Sequence, residues 1–284
     1  MDPAKIQSLT TDQIKIINAI AVLTGEIGKA DVFIRHATYE LDRTDITQEA
    51  TLNNFMDTKF AKAFISSINS GKLNALSLVE SAKPQNSELN DVYQSLITLQ
   101  QLYLSCCNAI ASTSSPNQYR TSINNSINAF NSHLSSINLA DFMVSDYTAD
   151  NKDQAYAYLL NSTQTDLNDA ANNLSAVYSA ISKLSEIKFE TAAFTTLENN
   201  VNSYIIAASS AGKINAYRII MLGFQSKYSG AYSNITAGYD AITRIYNILT
   251  DIKMQDSLSN FNTSISNYIS TIRSSANNIS SAVK

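Results

Sequence analysis

Residues 214–252 read INAYRIIMLGFQSKYSGAYSNITAGYDAITRIYNILTDI, and apolar side chains recur along them at alternating steps of three and four. This spacing keeps the apolar side chains on one stripe of an α-helix, a pattern typical of helices that pack side by side. One row of the stripe is Ile214, Met221, Tyr228, Ile235, Ile242 and Leu249. The other row is Tyr217, Phe224, Ala231, Gly238, Ile245 and Ile252. The stretch predicts a single helix about 58 Å long, at 1.5 Å per residue.

The same seven-residue repeat recurs along most of the chain. The preceding seam of apolar packing positions consists of Leu160, Leu167, Leu174 and Ile181. Proline, which breaks helix interiors, occurs three times in 284 residues and not at all after Pro116. The sequence therefore predicts an all-α fold: an elongated bundle of about six to eight long antiparallel helices with coiled-coil-like packing. A one-residue slip of the repeat at Gly212 leaves open whether 191–255 forms one kinked helix or two.

The longest stretch without helical periodicity is 139–153. It is acidic and contains Asp141, Asp146, Asp150 and Asp153, without the residue spacing of a calcium-binding loop. Because the repeats on either side look alike, we expect residues 1–284 to form a single bundle. Any internal domain boundary is expected within this acidic loop.

Charged residues are scarce in this chain. They make up 15% of the composition, against about 25% in ordinary soluble domains, and the net charge is −4. No cluster of Lys and Arg provides the footprint of a nucleic-acid-binding protein, so we expect no nucleic-acid partner. Ser, Asn and Thr occupy the polar positions instead, and such a surface tolerates close packing against copies of itself.

The sequence offers no recognisable catalytic chemistry. Its two histidines, His36 and His133, fall on different predicted helices, and the adjacent Cys106 and Cys107 lie at no metal-ligand spacing from them. Phosphate-binding loops and nucleophile motifs are absent as well. We therefore predict a chain that is not an enzyme, with no catalytic, cofactor-binding or metal-binding residues, no cofactor and no small-molecule substrate.

Three tyrosines widen the apolar stripe of the predicted long helix. Tyr232, Tyr239 and Tyr246 each follow the second row by one position. Ordinary core packing is the favoured interpretation. The alternative is an interface with a partner subunit, because tyrosine is enriched at protein–protein contacts.

Three functions fit this architecture. The favoured hypothesis is a non-enzymatic structural or assembly protein, a helical subunit of a multi-copy particle such as a virion, phage or filament component, which associates with itself or another protein subunit. One alternative is an α-helical pore-forming protein, because the predicted architecture is similar to that of pore formers of the cytolysin A type. The most plausible membrane-entering segment would be 207–224, although Lys213 and Arg218 interrupt it. The other alternative is a secreted helical effector or adaptor that binds one protein partner.

The expected location follows from the same features. No signal peptide or apolar run of about 20 residues is visible, which predicts a soluble chain without a transmembrane helix. A membrane partner is therefore disfavoured. Association with a particle, or secretion without a leader, is favoured over the role of an ordinary cytoplasmic enzyme.

Overall fold

The described part of the chain is almost entirely α-helical. A computed structural model describes residues 3–43, 47–112, 114–137, 149–185, 189–222, 229–252 and 257–283, and these residues contain α-helices and no β-strand. The helices are α1 Pro3–Arg43, α2 Gln48–Asp57, α3 Lys59–Ser81, α4 Asn90–Ala111, α5 Pro116–Ser136, α6 Ala149–Ile181, α7 Phe189–Asn199, α8 Val201–Leu222, α9 Ser229–Thr250 and α10 Leu258–Val283. The all-α bundle is confirmed. The described residues hold ten α-helices, slightly more than the predicted six to eight.

The middle of helix α1 is enclosed by the rest of the bundle. Residues 23–27 are five consecutive buried positions, which together cover the whole circumference of a helix. Accordingly α1 packs against α2 to α6 and against α8 and α9. The central element of the fold is thus the N-terminal helix rather than the stretch at 214–252.

The remaining helices form two groups around this axis. Helices α3, α4 and α5 pack against α1 on one side. On the other side α6 and α9 pack against α8, and α10 packs against α6 and α9. The two groups meet along the extensive contact between α1 and α8. Buried apolar side chains from both groups form one core cluster, so the packing is continuous from one group to the other.

The prediction of one helix over 214–252 is wrong, because the chain reverses direction between Leu222 and Ser229. The rings of Tyr204 in α8 and Tyr246 in α9 lie 5.5 Å apart, and the Arg218 guanidinium lies 5.0 Å from the Tyr239 ring centroid. In one continuous helix, positions 204 and 246 would be about 63 Å apart. Helices α8 and α9 are therefore antiparallel neighbours.

Two other boundaries also differ from the sequence-based expectation. The slip of the repeat at Gly212 lies inside α8, and the helix boundary falls at Asn200, between α7 and α8. Helix α6 begins at Ala149, so Asp150 and Asp153 belong to a helix rather than a loop. Asp141 and Asp146 lie outside the described residues, as does most of the proposed boundary at 139–153.

Candidate functional site

The closest contact between helices is the crossing of α1 and α8, which glycines make possible. A Cβ atom on Gly28 would lie 2.6 Å from the carbonyl oxygen of Ala208, and one on Gly212 would lie 2.8 Å from the Cα of Gly25 and closer still to the carbonyl of Thr24. Real Cβ atoms do not approach backbone this closely. The two helix backbones are therefore in direct contact, and side chains are excluded from the crossing.

A buried ion pair lies beside this crossing on the α3 side. Lys29 Nζ is 2.6 Å from Glu26 Oε2, and the two side chains are 6% and 9% exposed. The Lys29 ammonium also donates to the carbonyl oxygen and to the hydroxyl of Ser67 in α3, at 3.2 and 3.1 Å. Gly71 completes the site, because a Cβ there would lie 2.5 Å from the Glu26 carboxylate. The pair thus fixes the position of α3 against α1.

A second ion pair lies on the opposite side of the crossing, between α6 and α8. Lys213 Nζ donates to Asp166 Oδ1 at 3.2 Å, and the Asp166 side chain is 7% exposed. Burial raises the pKa of both Asp166 and Glu26, and their lysine partners oppose that effect. Both carboxylates are thus buried and held in ion pairs, and the Lys213 side chain is 31% exposed.

Both histidines are likewise occupied by contacts within the fold. His36 is 1% exposed, its Nε2 lies 3.3 Å from the Tyr204 hydroxyl, and its ring centroid lies 4.4 Å from that of Phe60. His133 Nε2 donates to the carbonyl oxygen of Ser95 at 3.1 Å, joining α5 to α4. The histidines lie in separate places, and each holds one helix against another.

The contact between Tyr204 and His36 predicts the effect of removing one hydroxyl. We expect Tyr204→Phe to lower the free energy of unfolding by about 1–2 kcal/mol, because a buried polar partner of His36 is lost. Tyr246→Phe is the matched control, since the buried Tyr246 hydroxyl has no hydrogen-bond partner among the described residues. Urea unfolding should show the control to be neutral or slightly stabilised. Equal losses in the two variants would contradict the assignment.

The cysteines also lack the environment of a reactive site. Cys106 and Cys107 are both free and buried, and burial raises the pKa of the Cys106 thiol to about 12, which suppresses the nucleophilic thiolate. Within the described ranges, no three His, Cys, Asp or Glu side chains are grouped so that they could hold a metal ion. None of the described helices is long and apolar enough to cross a membrane.

A small polar cavity lies next to the helix crossing, between α1, α5, α8 and α9. Its volume is about 50 Å³, whereas sites for small organic ligands usually enclose about 300–1,000 Å³. Asp31 and Arg35 line the cavity and pair with each other at 2.8 Å. This cavity is therefore smaller than a typical site for a small organic ligand.

The structure buries the described residues of the predicted packing seam. At most 2% of the surface of each is exposed: Ile214, Met221, Ile235, Ile242, Leu249, Leu160, Leu167, Leu174 and Ile181. Ile214 and Met221 belong to α8. Ile235, Ile242 and Leu249 belong to α9, so two antiparallel helices share the predicted stripe. Tyr228 lies outside the described residues.

The three tyrosines considered for an interface pack against the same core. Tyr246 is 5% exposed and contacts Tyr204, whereas Tyr239 and Tyr232 are partly buried against the core cluster. Tyr239 also lies beside the Arg218 guanidinium. Tyr246 in particular offers almost no surface to a partner subunit.

The exposed faces of several helices are almost free of charge. Residues 90–137, which include α4 and α5, contain only Asp91 and Arg120 as charged residues, and Arg120 pairs with Asp42 at 2.7 Å. The exposed residues of α5 are Asn117, Gln118, Thr121, Ser122, Asn125, Asn128, Ala129, Ser132, Ser135 and Ser136. Those of α10 are Ser259, Asn260, Thr263, Ser266, Asn267, Ser270, Thr271, Arg273, Ser274, Asn277, Asn278 and Ser281.

These faces are the candidate functional surface. The sequence shows their scarcity of charge, and the fold shows which side chains face outward. The signal was present in the sequence as the charge-poor span 90–137. No family model, curated protein or solved structure matches the chain.

Proposed function

We propose that this protein is a non-enzymatic structural subunit that associates with copies of itself in a multi-copy particle, such as a virion, phage or filament component. The observation that carries the proposal is the uncharged outer face of α5, with the similar face of α10. Solvated helices normally carry Glu and Lys on such faces, which keep copies apart and soluble. Amide and hydroxyl side chains instead hydrogen-bond to each other without electrostatic repulsion.

Sedimentation velocity over a hundredfold range of protein concentration tests the proposal directly. We expect a species that grows in mass with concentration. We also expect little change between low and high salt, because screening acts on charges, which are scarce on these faces. Electron microscopy of the largest species would then give its symmetry.

Introducing charge on the α5 face should weaken this association. We expect the double variant Asn125→Lys/Ser132→Lys to shift the assembly towards smaller species, because like charges would meet across a contact between copies. The exposed Asn54→Lys in α2 is the control, since α2 already carries the charged Glu49 and Asp57. Lysine is a good helix former, so neither variant should unfold the bundle.

A monomer at every concentration and salt level would contradict the proposal. Dye release from liposomes would then favour the pore-forming alternative. Saturable binding of a single protein partner would favour the effector or adaptor alternative.

A further inference from the structure

The most exposed large apolar side chain of the described residues lies in the middle of α3. Leu73 is 78% exposed, compared with 47% for Ile206 and 46% for Leu222. Its exposed neighbours on the helix, such as Asn69, Ser70 and Ser77, are polar and uncharged. An isolated leucine exposed to this degree contributes nothing to the core of its own bundle.

A groove of about 510 Å³ runs beside Leu73, between α3 and α4. Leu76, Val79, Tyr93 and Ile97 give it apolar walls, and Glu80 lies on its rim. Leu73 itself forms one edge of the groove. An exposed apolar residue and an apolar recess thus occur side by side on one surface.

We propose that a second copy of the chain covers this groove, with the α3 helices of the two copies antiparallel about a twofold axis near Leu76. Leu73 of each copy then inserts into the α3–α4 groove of the other. This inference rests on the proposed function and assigns one of its contacts. Such an arrangement is isologous, meaning that the same patch is used on both copies.

The charges around the groove suit this symmetry. Lys72 precedes Leu76 by four residues and Glu80 follows it by four, so an antiparallel pair centred on Leu76 brings Lys72 level with the partner's Glu80. In the same register, Leu73 lies level with the partner's Val79. Two ion pairs, each between Lys72 of one copy and Glu80 of the other, therefore flank the apolar contact. Complementary charges of this kind fix register and orientation.

The surface next to the groove is also compatible with a second copy. Gln94, Gln101, Ser105 and Asn108 are exposed on α4 and carry no charge. Asp91 is the one charged residue among the exposed positions of α4, so an approaching α3 helix would meet little charge on this side. Other occupants of the groove, such as an unrelated apolar peptide, would not require the pairing of Lys72 with Glu80.

The first test compares the dimer dissociation constants of the wild-type chain and Leu73→Asp by sedimentation velocity. We expect an increase of about tenfold or more for Leu73→Asp, because a charge would replace the central apolar contact. Leu222→Asp is the matched control, an exposed leucine on α8, and should leave the dimer unchanged. Circular dichroism checks that both variants stay folded. An unchanged dissociation constant for Leu73→Asp would overturn the inference.

Charge reversal then tests the register. Lys72→Glu and Glu80→Lys should each weaken the dimer, because each places like charges opposite one another. The double variant should restore the dimer, because positions 72 and 80 then again carry opposite charges across the twofold axis. Weakening without restoration would overturn the antiparallel pairing. A dimer dissociation constant that is unchanged in Leu73→Asp, in a chain whose mass still grows with concentration, would refute this contact and leave the proposed function standing. A wild-type monomer at all concentrations would refute both.

Discussion

Gly212→Ala should destabilise the bundle by about 3 kcal/mol or more, because overpacking at a backbone contact forces whole helices apart. The added Cβ would lie 2.8 Å from the Cα of Gly25, and the atoms that it meets in α1 are main-chain atoms. A flexible side chain could turn away from the new methyl group, but these atoms cannot. We expect the α1–α8 contact to open, and the loss is measurable as a lower midpoint in chemical unfolding.

Gly230→Ala is the matched control for this substitution. No atom lies within 4 Å of a Cβ built on Gly230, which is exposed near the start of α9. Alanine is the better helix former by up to about 1 kcal/mol, so this variant should be neutral or slightly more stable. If Gly212→Ala behaved like Gly230→Ala, the close crossing of α1 and α8 would be refuted.

The positions of the helices could be predicted largely from apolar periodicity, but their connectivity could not. Met221, Tyr228 and Ile235 are seven residues apart whether the segment between them is helix or a reversal of the chain. The heptad rows therefore continue from α8 into α9 without an interruption, although the two helices are antiparallel. In the sequence, the glycines at positions 223 and 230 are the available signal of a break in the helix.

The sequence pattern of α1 also does not predict its central position in the bundle. A helix enclosed on all sides should be apolar all round. Yet α1 carries buried polar side chains at Asp12, Glu26, Lys29 and His36. These residues make α1 resemble a surface helix in the sequence. Their partners lie in other helices, such as Ser67 in α3 and Tyr204 in α8, and a single sequence does not disclose such distant pairings.

In the sequence alone, the glycines of the crossing show only a local effect. Gly25 and Gly28 weaken helix propensity, and this was the property visible in the sequence. Their contribution is made between helices, where the absence of a Cβ lets α8 approach. Composition alone does identify the charge-poor faces, because the scarcity of charged residues in 90–137 needs no tertiary information.

The buried pair of Glu26 and Lys29 predicts a large, pH-dependent loss of stability for Lys29→Met. At pH 8 we expect the free energy of unfolding to fall by about 3–5 kcal/mol, because removing one member of a buried ion pair leaves the other charge uncompensated. Methionine preserves most of the aliphatic volume of lysine. The effect therefore arises from the charge and from the two hydrogen bonds to Ser67, and not from a cavity.

The loss should shrink as the pH is lowered towards 5. Burial already raises the pKa of Glu26, and Lys29 is the main group opposing that increase. Without the lysine, the pKa of Glu26 in the folded protein rises further. At a pH between the pKa of Glu26 in the unfolded chain and its higher pKa in the folded protein, the folded protein keeps a proton on Glu26 that the unfolded chain has released. Stability then falls with increasing pH between those two values, by up to about 1.4 kcal/mol per pH unit.

Three other titratable groups interact with Glu26: Lys213, Tyr103 and Cys107. Lys213 of α8 also lowers the pKa of Glu26, but its ammonium is paired with Asp166. Cys107 and Tyr103 of α4 have raised pKa values because they are buried, so they stay neutral across the range from pH 5 to 8. Glu26 is therefore the group that should produce the pH dependence.

The double variant Glu26→Gln/Lys29→Met separates charge from packing. We expect it to recover most of the stability at pH 8 and to show no additional pH dependence, since replacing a whole buried ion pair by neutral groups is often neutral or stabilising. Urea unfolding of the wild-type chain, Lys29→Met and the double variant at pH 5 and pH 8 completes the measurement. An equal loss for Lys29→Met at both pH values would show that Glu26 is not the uncompensated charge.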